Sequence, residues 1–454
     1  MVNRCYFGNY DKCFQAEKAL FPPGYPFLVV IAEELFGLNT LFASYISAFL
    51  SSLTIILIFL ICYLLFKEEE VGLISALIFA LTPISITFSH TSESRVVSIF
   101  FICLTILIYL IALNNNKIKL LTLFFLLASY TIYIRQENSI LFILFFIGLF
   151  LFNYKLCFSE IKKFIIPALL FLLLQLHVQL WLLIENPFGH VEPAYQQKAF
   201  SIYYLIPQAM LYINLLFNNF YRLPKGAIFF NPIISAISVL GMLFVLEKRH
   251  RREKIFVLTW FLTYFAFYSL YLYCDVSSPS CEGHIRYSLS FTPAYSILAG
   301  YVLFRIQDPI KIKGFKITFL FLIFLILFFT SNLNVPKTFF EDQRFIYFKD
   351  FILAANKTSA KCILITSRAD VLRSDVLENN HRKTIYHHSI INNDVFLTEA
   401  SKSDCVLYLL EKRYENKTVF KNDFIDKNFE VSYMFTEGEI EIYSLKSKLR
   451  KSLI

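Results

Sequence analysis

The sequence predicts a polytopic α-helical membrane protein with about ten or eleven spans and a small C-terminal α/β domain. Of its 454 residues 57% are hydrophobic and 18% aromatic, far more aromatic residues than an ordinary soluble protein contains. Charged residues make up only 17% of the chain and concentrate in its loops and last quarter. Apolar segments of spanning length recur up to residue 331, and the composition becomes that of a soluble domain from Val335 onward.

The predicted spans are apolar runs that are long enough to cross a bilayer. An eleventh apolar stretch, 200–220, contains Pro207, asparagines and tyrosines, and we expect it to lie at the membrane interface. Gln175 and Gln179 lie four residues apart within one span, which predicts hydrogen bonding between helices. The spans fall at about 41–66, 70–88, 94–113, 118–134, 138–154, 162–184, 227–246, 255–273, 287–305 and 314–331.

The distribution of lysine and arginine orients these spans. One set of alternate loops is rich in basic residues, with clusters at 248–254 and 305–316, and the other set is poor in them. The positive-inside rule places the rich set in the cytoplasm, and it explains the net charge of +9 without a nucleic-acid partner. We therefore expect residues 1–40 and a domain at 335–454 to be extracytoplasmic, with the transmembrane domain at 41–334 between them.

The segment that precedes the first predicted span, LFPPGYPFLVVIAEELFGLN at 20–39, has an unusual composition. Its Pro-Pro-Gly sequence removes backbone donors and fixes φ, so it cannot lie inside a lipid-exposed helix. We expect an ordered turn at the membrane surface, followed by a short interfacial helix. A plain loop before a hydrophobic helix is the alternative.

This order of features resembles the GT-C membrane glycosyltransferases, which include the dolichyl-phosphate-mannose–protein mannosyltransferases. In these families a first outer loop ends in a Pro-Pro-x-Tyr-Pro-like turn, a short helix and a Phe-Gly, which here are 22–26 and Phe36-Gly37. The likeness covers the layout of roughly residues 5 to 330. It implies that the protein, embedded in the lipid bilayer, transfers a sugar from a polyprenyl-phosphate-linked donor to a lipid, glycan or protein acceptor on the extracytoplasmic face.

Two carboxylates are candidates for catalysis. Sugar transfer to a hydroxyl needs a carboxylate that takes the acceptor's proton, and Asp11 is the only aspartate before the Pro-Pro-Gly turn. Glu93 matches, by order, an acidic residue that GT-C families place near the carrier phosphate or a metal. A solvated turn with Glu93 at a helix start is the alternative. The resemblance identifies no certain cofactor and leaves a divalent cation as the one candidate.

Candidates for substrate binding lie at the expected outer ends of the spans. Arginine suits a lipid phosphate, because its planar guanidinium donates two parallel hydrogen bonds and stays charged. Arg286-Tyr287, followed by Pro293, resembles an Arg-Tyr pair that GT-C enzymes place at the outer end of a late span. A buried Arg135–Glu137 pair that links helices is the structural alternative to a binding role. The candidates are Tyr25, His90, Arg95, Arg135, Glu137, Arg286 and Tyr287.

Three short segments predict strands of the C-terminal α/β domain. CILITS at 362–367 and CVLYLL at 405–410 are apolar runs flanked by polar sequence, and EIEIYSL at 439–445 alternates in the manner of an edge strand.

The cysteines divide by predicted side of the membrane. Cys62, Cys103 and Cys157 fall in spans or a cytoplasmic loop and are expected to be free thiols. Six others fall outside, where an oxidising environment permits disulfides. Short separations favour two pairs and leave a third, although six cysteines allow 15 pairings. These pairs are Cys5–Cys13, Cys274–Cys281 and Cys362–Cys405.

Two further interpretations stay open. Residues 1–40 are expected outside with no span to deliver them, so either the chain inserts with its N-terminus outside or the coding region extends upstream through a span and a catalytic aspartate. Loss of that aspartate would favour a truncated, non-catalytic GT-C relative. A transporter or flippase of lipid-linked sugars is the other alternative. Transporters tend to show internal repeats and broken spans at matching positions; we find no such symmetry in a sequence with only 12 glycines.

Overall fold

The fold is described from a computed structural model of the chain. The structure describes residues 24–37, 42–89, 91, 94–115, 118–159, 168–176, 200–217, 229–271, 283–307, 325, 362–366, 385–387, 405–411, 429–437 and 440–448. The chain divides into two compact units, residues 1–338 and residues 339–454. The described part of the first unit is helical, and that of the second is a β-sheet.

The helices of the first unit follow the apolar runs of the sequence. A further helical stretch lies at 168–176, and short 3₁₀ helices lie at Gln136–Ile140, Ile202–Tyr204, Phe244–Leu246 and Leu289–Phe291. The described α-helices are α1 (Gly24–Phe36), α2 (Phe42–Phe66), α3 (Glu69–Leu81), α4 (Pro83–Ser89), α5 (Ser94–Asn115), α6 (Ile118–Ile134), α7 (Leu141–Ser159), α8 (Leu205–Leu216), α9 (Pro232–Leu243), α10 (Arg251–Leu270), α11 (Gly283–Ser288) and α12 (Thr292–Gln307).

Within the described residues, four helical stretches are long and apolar enough to cross a membrane: Phe42–Phe66, Ser94–Asn114, Gln136–Asn153 and Ile285–Gln307. They make this an integral membrane protein. Helices α3 and α4 would form a fifth span, bent by 61°. The apolar segment predicted at 70–88 is therefore present, but as two helices and not as one. Pro83 has no N–H to donate and favours an extended residue before it, and Thr82 has φ −67° and ψ 123°.

Helix α12 is the centre of the first unit. Residues 292–304 are all buried, as expected of a helix that is apolar on every side. Two glycines allow neighbouring helices to approach it closely. A Cβ on Gly300 would lie 2.2 Å from the hydroxyl oxygen of Ser75 on α3, and one on Gly241 of α9 would lie 2.8 Å from the carbonyl oxygen of Leu298.

A cluster of charged side chains joins the loop after α9 to α10 and α12. The ammonium group of Lys254 is buried and donates to the carbonyl oxygens of Phe244 and Glu247, at 2.6 and 3.0 Å, and to the carboxylate of Glu247 at 3.3 Å. Arg305 on α12 donates to the other carboxylate oxygen of Glu247. Burial raises the pKa of the Glu247 carboxyl group, but hydrogen bonds from Arg305 and Lys254 outweigh it and hold that pKa below its ordinary value of 4.5.

The second unit contains a five-stranded sheet with the strand order β2-β1-β3-β5-β4. Strand β1 is parallel to β2 and β3, and β5 is antiparallel to β3 and β4. The prediction of an edge strand at 439–445 is wrong, because β5 lies between two strands. The alternation of apolar and polar residues indicates that one face of the strand is buried, but it does not indicate whether other strands pair with both of its edges. The strands are β1 (Ile363–Thr366), β2 (Ile385–His387), β3 (Val406–Glu411), β4 (Phe429–Glu437) and β5 (Ile440–Ser447).

Cys362 and Cys405 form a disulfide at the start of the parallel strands β1 and β3. Their Cα atoms are 4.6 Å apart, within the range that a disulfide tolerates. This is the pairing that the sequence predicts. Cys62 and Cys103 are buried free thiols, also as predicted. Cys5, Cys13, Cys274 and Cys281 lie outside the described residues.

We predict that Glu247→Ala destabilises the protein by about 2 kcal/mol, because it leaves the buried Lys254 ammonium without its carboxylate. Thermal unfolding in detergent measures the loss. The lowered pKa of Glu247 means that this contribution is present above the unfolded-state pKa and is lost as the pH falls through the folded-state pKa. The difference between wild type and variant should therefore shrink below about pH 4.5.

Glu68→Ala is the matched control for this prediction. Glu68 pairs with Arg249 at 2.8 Å, but both side chains are more than a third exposed. Solvent screens such a pair, so its loss should cost less than ~1 kcal/mol. An equal loss of stability in both variants would contradict the role of burial.

Candidate functional site

Arg95 lies in the first turn of α5, where it is only 5% exposed. The central carbon of its guanidinium group lies 3.9 Å from the centroid of the Tyr287 ring on α11. This cation–π contact covers a flat face of the guanidinium and leaves its N–H groups directed outward in the plane. A buried cation is thus held by a neutral aromatic ring.

Tyr287 is in turn fixed by two tyrosines at the end of α10. Its ring centroid lies 4.6 Å from that of Tyr268 and 5.7 Å from that of Tyr271. The hydroxyl group of Tyr268 shares a 3.3 Å hydrogen bond with the hydroxyl group of Ser290. The end of α10, helix α11 and the start of α5 therefore form one aromatic cluster around Arg95.

Arg135 lies at the end of α6, and its side chain also reaches the start of α5. It donates through Nη1 to the hydroxyl oxygen of Ser94 at 2.9 Å and through Nε to the carboxylate of Glu137. Ser94 directly precedes Arg95, so the structure brings Arg95, Arg135 and Glu137 to the same end of the bundle. The ion pair itself is local, within one turn of chain, and the link between helices is made through Ser94.

Asn138 holds this turn in place. Its amide nitrogen donates to Ser98 Oγ on α5 and to the carbonyl oxygen of Thr131 on α6, both at 2.8 Å. Its amide oxygen accepts from the hydroxyl group of Tyr264 on α10 at 3.1 Å. One buried amide therefore joins α5, α6 and α10 directly below the Arg135–Glu137 turn.

The Pro-Pro-Gly-Tyr-Pro motif leads into α1, which begins at Gly24 and docks on α6. A Cβ on Gly24 would lie 2.7 Å from the backbone of Tyr133, so only glycine permits this approach. The carbonyl oxygen of Gly24 accepts from Tyr130, and the hydroxyl group of Tyr25 donates to the carbonyl oxygen of Ala43 at 3.0 Å. Tyr25 is buried and fastens α1 to α2; its predicted role in substrate binding stays a prediction.

The remaining candidates divide between described and undescribed residues. Arg286 is half-buried on α11, one residue before Tyr287. Asp11, His90 and Glu93 lie outside the described residues. In the described part of the chain, no group of three or more His, Cys, Asp or Glu residues has a geometry that would hold a metal ion.

Sequence reasoning did not identify the side chains that support these candidates. Asn138 ends the Tyr133–Asn138 motif, and its position beside a charged pair is the signal for a supporting role. Tyr264 and Tyr268 stand four residues apart near the end of an apolar helix, which is the signal that polar groups share one face. Gln175 was predicted to join helices, and its amide donates to the carbonyl oxygen of Ser129 at 3.2 Å.

The arrangement is suited to bind an anion. Arg95, Arg135 and Arg286 lie on elements that meet in this cluster, and Glu137 offsets one of the three charges. Guanidinium groups bind phosphate and carboxylate through paired, charge-assisted hydrogen bonds. Such bonds are strong where apolar helices exclude water.

Comparison with known proteins shows which family and fold this chain resembles. Residues 21–181 match the family described as dolichyl-phosphate-mannose-protein mannosyltransferase. A search of curated proteins finds no significant match.

The fold is similar to that of ArnT from Cupriavidus metallidurans, solved bound to undecaprenyl phosphate. The TM-score is 0.57 at 12% identity, over 94% of this chain and 88% of ArnT. An oligosaccharyltransferase from Archaeoglobus fulgidus, in its apo form, covers 91% of this chain and 65% of its own at 12% identity, but its TM-score of 0.45 is too low to add support. The resemblance that the sequence indicates is confirmed: this chain has the fold of the GT-C membrane glycosyltransferases.

Proposed function

We propose that this protein is a glycosyltransferase that moves one sugar from a polyprenyl-phosphate-linked donor to an acceptor hydroxyl on the extracytoplasmic face. The observation that carries the proposal is the burial of Arg95 against Tyr287, beside Arg286, in a chain with the GT-C fold. A guanidinium group that is stacked in an apolar bundle is prepared to receive an anion with little reorganisation.

The donor's phosphate is the anion that we assign to this cluster. ArnT, which is similar in fold, was solved with undecaprenyl phosphate, a ligand that combines a phosphate with a long apolar chain. Arg95 and Arg286 would donate to the phosphate oxygens, and Tyr287 would keep Arg95 in place. The exposed apolar side chains of the helices would face the lipid.

In the proposed reaction the acceptor hydroxyl oxygen attacks the anomeric carbon of the sugar. The bond between that carbon and the phosphate oxygen breaks, and the phosphate takes the electron pair. The arginines stabilise the charge that builds on the leaving phosphate, so they lower the barrier. A carboxylate takes the hydroxyl proton; Asp11 and Glu93 remain the candidates for this role. The acceptor would be a lipid, a glycan or a protein.

Two observations support an extracytoplasmic location for the C-terminal unit. The basic loops of the first unit favour it through the positive-inside rule. The disulfide between Cys362 and Cys405 also fits it, because disulfides persist in oxidising compartments.

We expect Arg286→Lys to weaken binding of undecaprenyl phosphate and Arg286→Ala to weaken it further. Lysine keeps the charge but loses the two parallel hydrogen bonds of the guanidinium, whereas alanine loses the charge as well as the hydrogen bonds. The expected increase in Kd is about tenfold for alanine, since a charge-assisted hydrogen bond contributes about 1.5–3 kcal/mol. Purified variants in nanodiscs, titrated with undecaprenyl phosphate, provide the measurement.

Arg252→Ala is the control for a general effect of charge, because Arg252 is exposed at the start of α10. Its Kd should equal that of the wild type. If Arg286→Ala binds undecaprenyl phosphate as tightly as the wild type, the phosphate role of Arg286 is wrong. If that variant unfolds, Arg286 has a structural role instead.

The proposed topology predicts that a cysteine at Lys446 is modified by a membrane-impermeant maleimide in intact cells, whereas a cysteine at Arg252 is not. Both positions are exposed, so accessibility from the medium alone distinguishes them. Permeabilised cells, in which both cysteines should react, provide the control. Labelling of the Arg252→Cys variant but not of Lys446→Cys in intact cells would reverse the topology.

A further inference from the structure

Gln208 on α8 is a fully buried glutamine, with 0% of its surface exposed. Neither its amide nitrogen nor its amide oxygen has a hydrogen-bond partner among the residues that the structure describes. Buried polar groups are nearly always hydrogen-bonded, and the requirement is stricter in a membrane protein. An amide enclosed at such a position calls for a partner that the described residues do not supply.

The position of α8 places Gln208 beside the candidate site. The start of α8 is fastened to the end of α10 by the backbone hydrogen bond from Ser201 to Leu270, at 3.0 Å. One turn after Gln208, the ring of Tyr212 lies 5.9 Å from that of Phe265 on α10. Helix α8 therefore runs antiparallel to α10, and Gln208 lies level with the segment of α10 that carries Tyr268.

The side chain of Gln208 belongs to the buried face of α8. Gln208, Tyr212, Leu215 and Leu216 form a stripe at helical spacing, whereas Ile206, Met210 and Ile213 are exposed on the other side. This stripe packs against α10 and against α11, the helix that carries Arg286 and Tyr287. Helix α8 thus packs against the two helices that carry the aromatic rings around the buried Arg95.

We infer that the amide of Gln208 binds hydroxyl groups of the donor's sugar, next to the phosphate that the arginines hold. This inference rests on the proposed function and extends it to the recognition of the sugar. A phosphate oxygen only accepts hydrogen bonds, so it would leave the amide oxygen of Gln208 unsatisfied. A sugar presents hydroxyl groups that both donate and accept, and two of them would satisfy the amide nitrogen and the amide oxygen together.

The test compares the binding of two lipids that differ only in the sugar. The wild type is first titrated with undecaprenyl-phosphate-linked mannose, glucose and arabinose, and the lipid that binds most tightly is chosen. Wild type and Gln208→Met are then titrated with that lipid and with undecaprenyl phosphate. Methionine keeps the unbranched shape without the amide. We expect its Kd for the sugar-bearing lipid to rise about tenfold, as the loss of two hydrogen bonds implies. The Kd for undecaprenyl phosphate should stay within about twofold of the wild-type value, since that lipid makes no use of the amide.

Thermal unfolding without ligand separates this role from a structural one. Replacing an unsatisfied buried amide by an apolar group of similar shape should leave the melting temperature unchanged or raise it. Gln175→Met is the matched control, because that buried amide does have a partner in the carbonyl oxygen of Ser129. It should lower the melting temperature and leave both Kd values unchanged.

Each outcome decides the inference. Equal Kd values for the sugar-bearing lipid in wild type and Gln208→Met overturn it, and an equal loss for both lipids overturns the assignment to the sugar. If Gln208→Met does not fold, Gln208→Asn, which withdraws the amide by one methylene, should show the same selective loss. If Gln208→Asn binds the sugar-bearing lipid as tightly as the wild type does, the inference is overturned.

Measurements on the wild type separate the inference from the proposed function. If the wild type binds no sugar-bearing lipid more tightly than undecaprenyl phosphate, the sugar is not recognised and the inference fails alone. If the wild type does not bind undecaprenyl phosphate either, the proposed function fails with it.

Discussion

The burial of charge inside an apolar helical bundle is the constraint on which this structure depends. An ion that leaves water loses several kcal/mol of hydration free energy, which only close and specific partners restore. Lys254 finds two backbone carbonyl oxygens and a carboxylate. Arg95 is stacked on the ring of Tyr287. The two buried cations are therefore stabilised in different ways, and this difference has consequences for function.

The Lys254 cluster contains a fixed carboxylate, so it locks the ends of α10 and α12 together. The Arg95 cluster contains aromatic rings, and the elements that meet there carry two further arginines, with Glu137 as the described carboxylate. A cation whose donors are taken up by a carboxylate and carbonyl oxygens is suited to stability, and a cluster with an excess of cations is suited to an anionic ligand. The buried network of Asn138 keeps the arginine-bearing turn in position.

Local patterns in the sequence predicted much of the fold. Apolar runs predicted most of the described helices, and the spacing of cysteines and strands predicted the Cys362–Cys405 disulfide. Failures came where a property is not local. The 70–88 segment has the length and hydropathy of one span, yet the steric effect of Pro83 divides it. The position of β5 inside the sheet depends on β4, a strand whose residues 430–434 are all exposed and which therefore lacks a clear apolar pattern.

The candidate site was predicted only as a set of separate charges. Arg95, Arg135 and Tyr287 could be identified because charged and aromatic groups at span ends are conspicuous in an apolar sequence. That Tyr287 lies against Arg95 could not be predicted, since the two residues are distant in sequence and meet only through the packing of α11 against α5 and α10. Gln208 gives no signal in the sequence, where a lone glutamine in an apolar stretch is ordinary. Its importance lies in the absence of a partner among the described residues, which only the fold reveals.

The central claim is that the phosphate of a polyprenyl lipid binds at the Arg95–Tyr287 cluster. A cryo-electron microscopy structure of the protein in nanodiscs with undecaprenyl phosphate tests it most directly. We expect density for the phosphate with its oxygens about 3 Å from guanidinium nitrogens of Arg95 or Arg286, and the ring of Tyr287 still stacked on Arg95. Phosphate density at another part of the protein, with no ligand beside either arginine, would contradict the account.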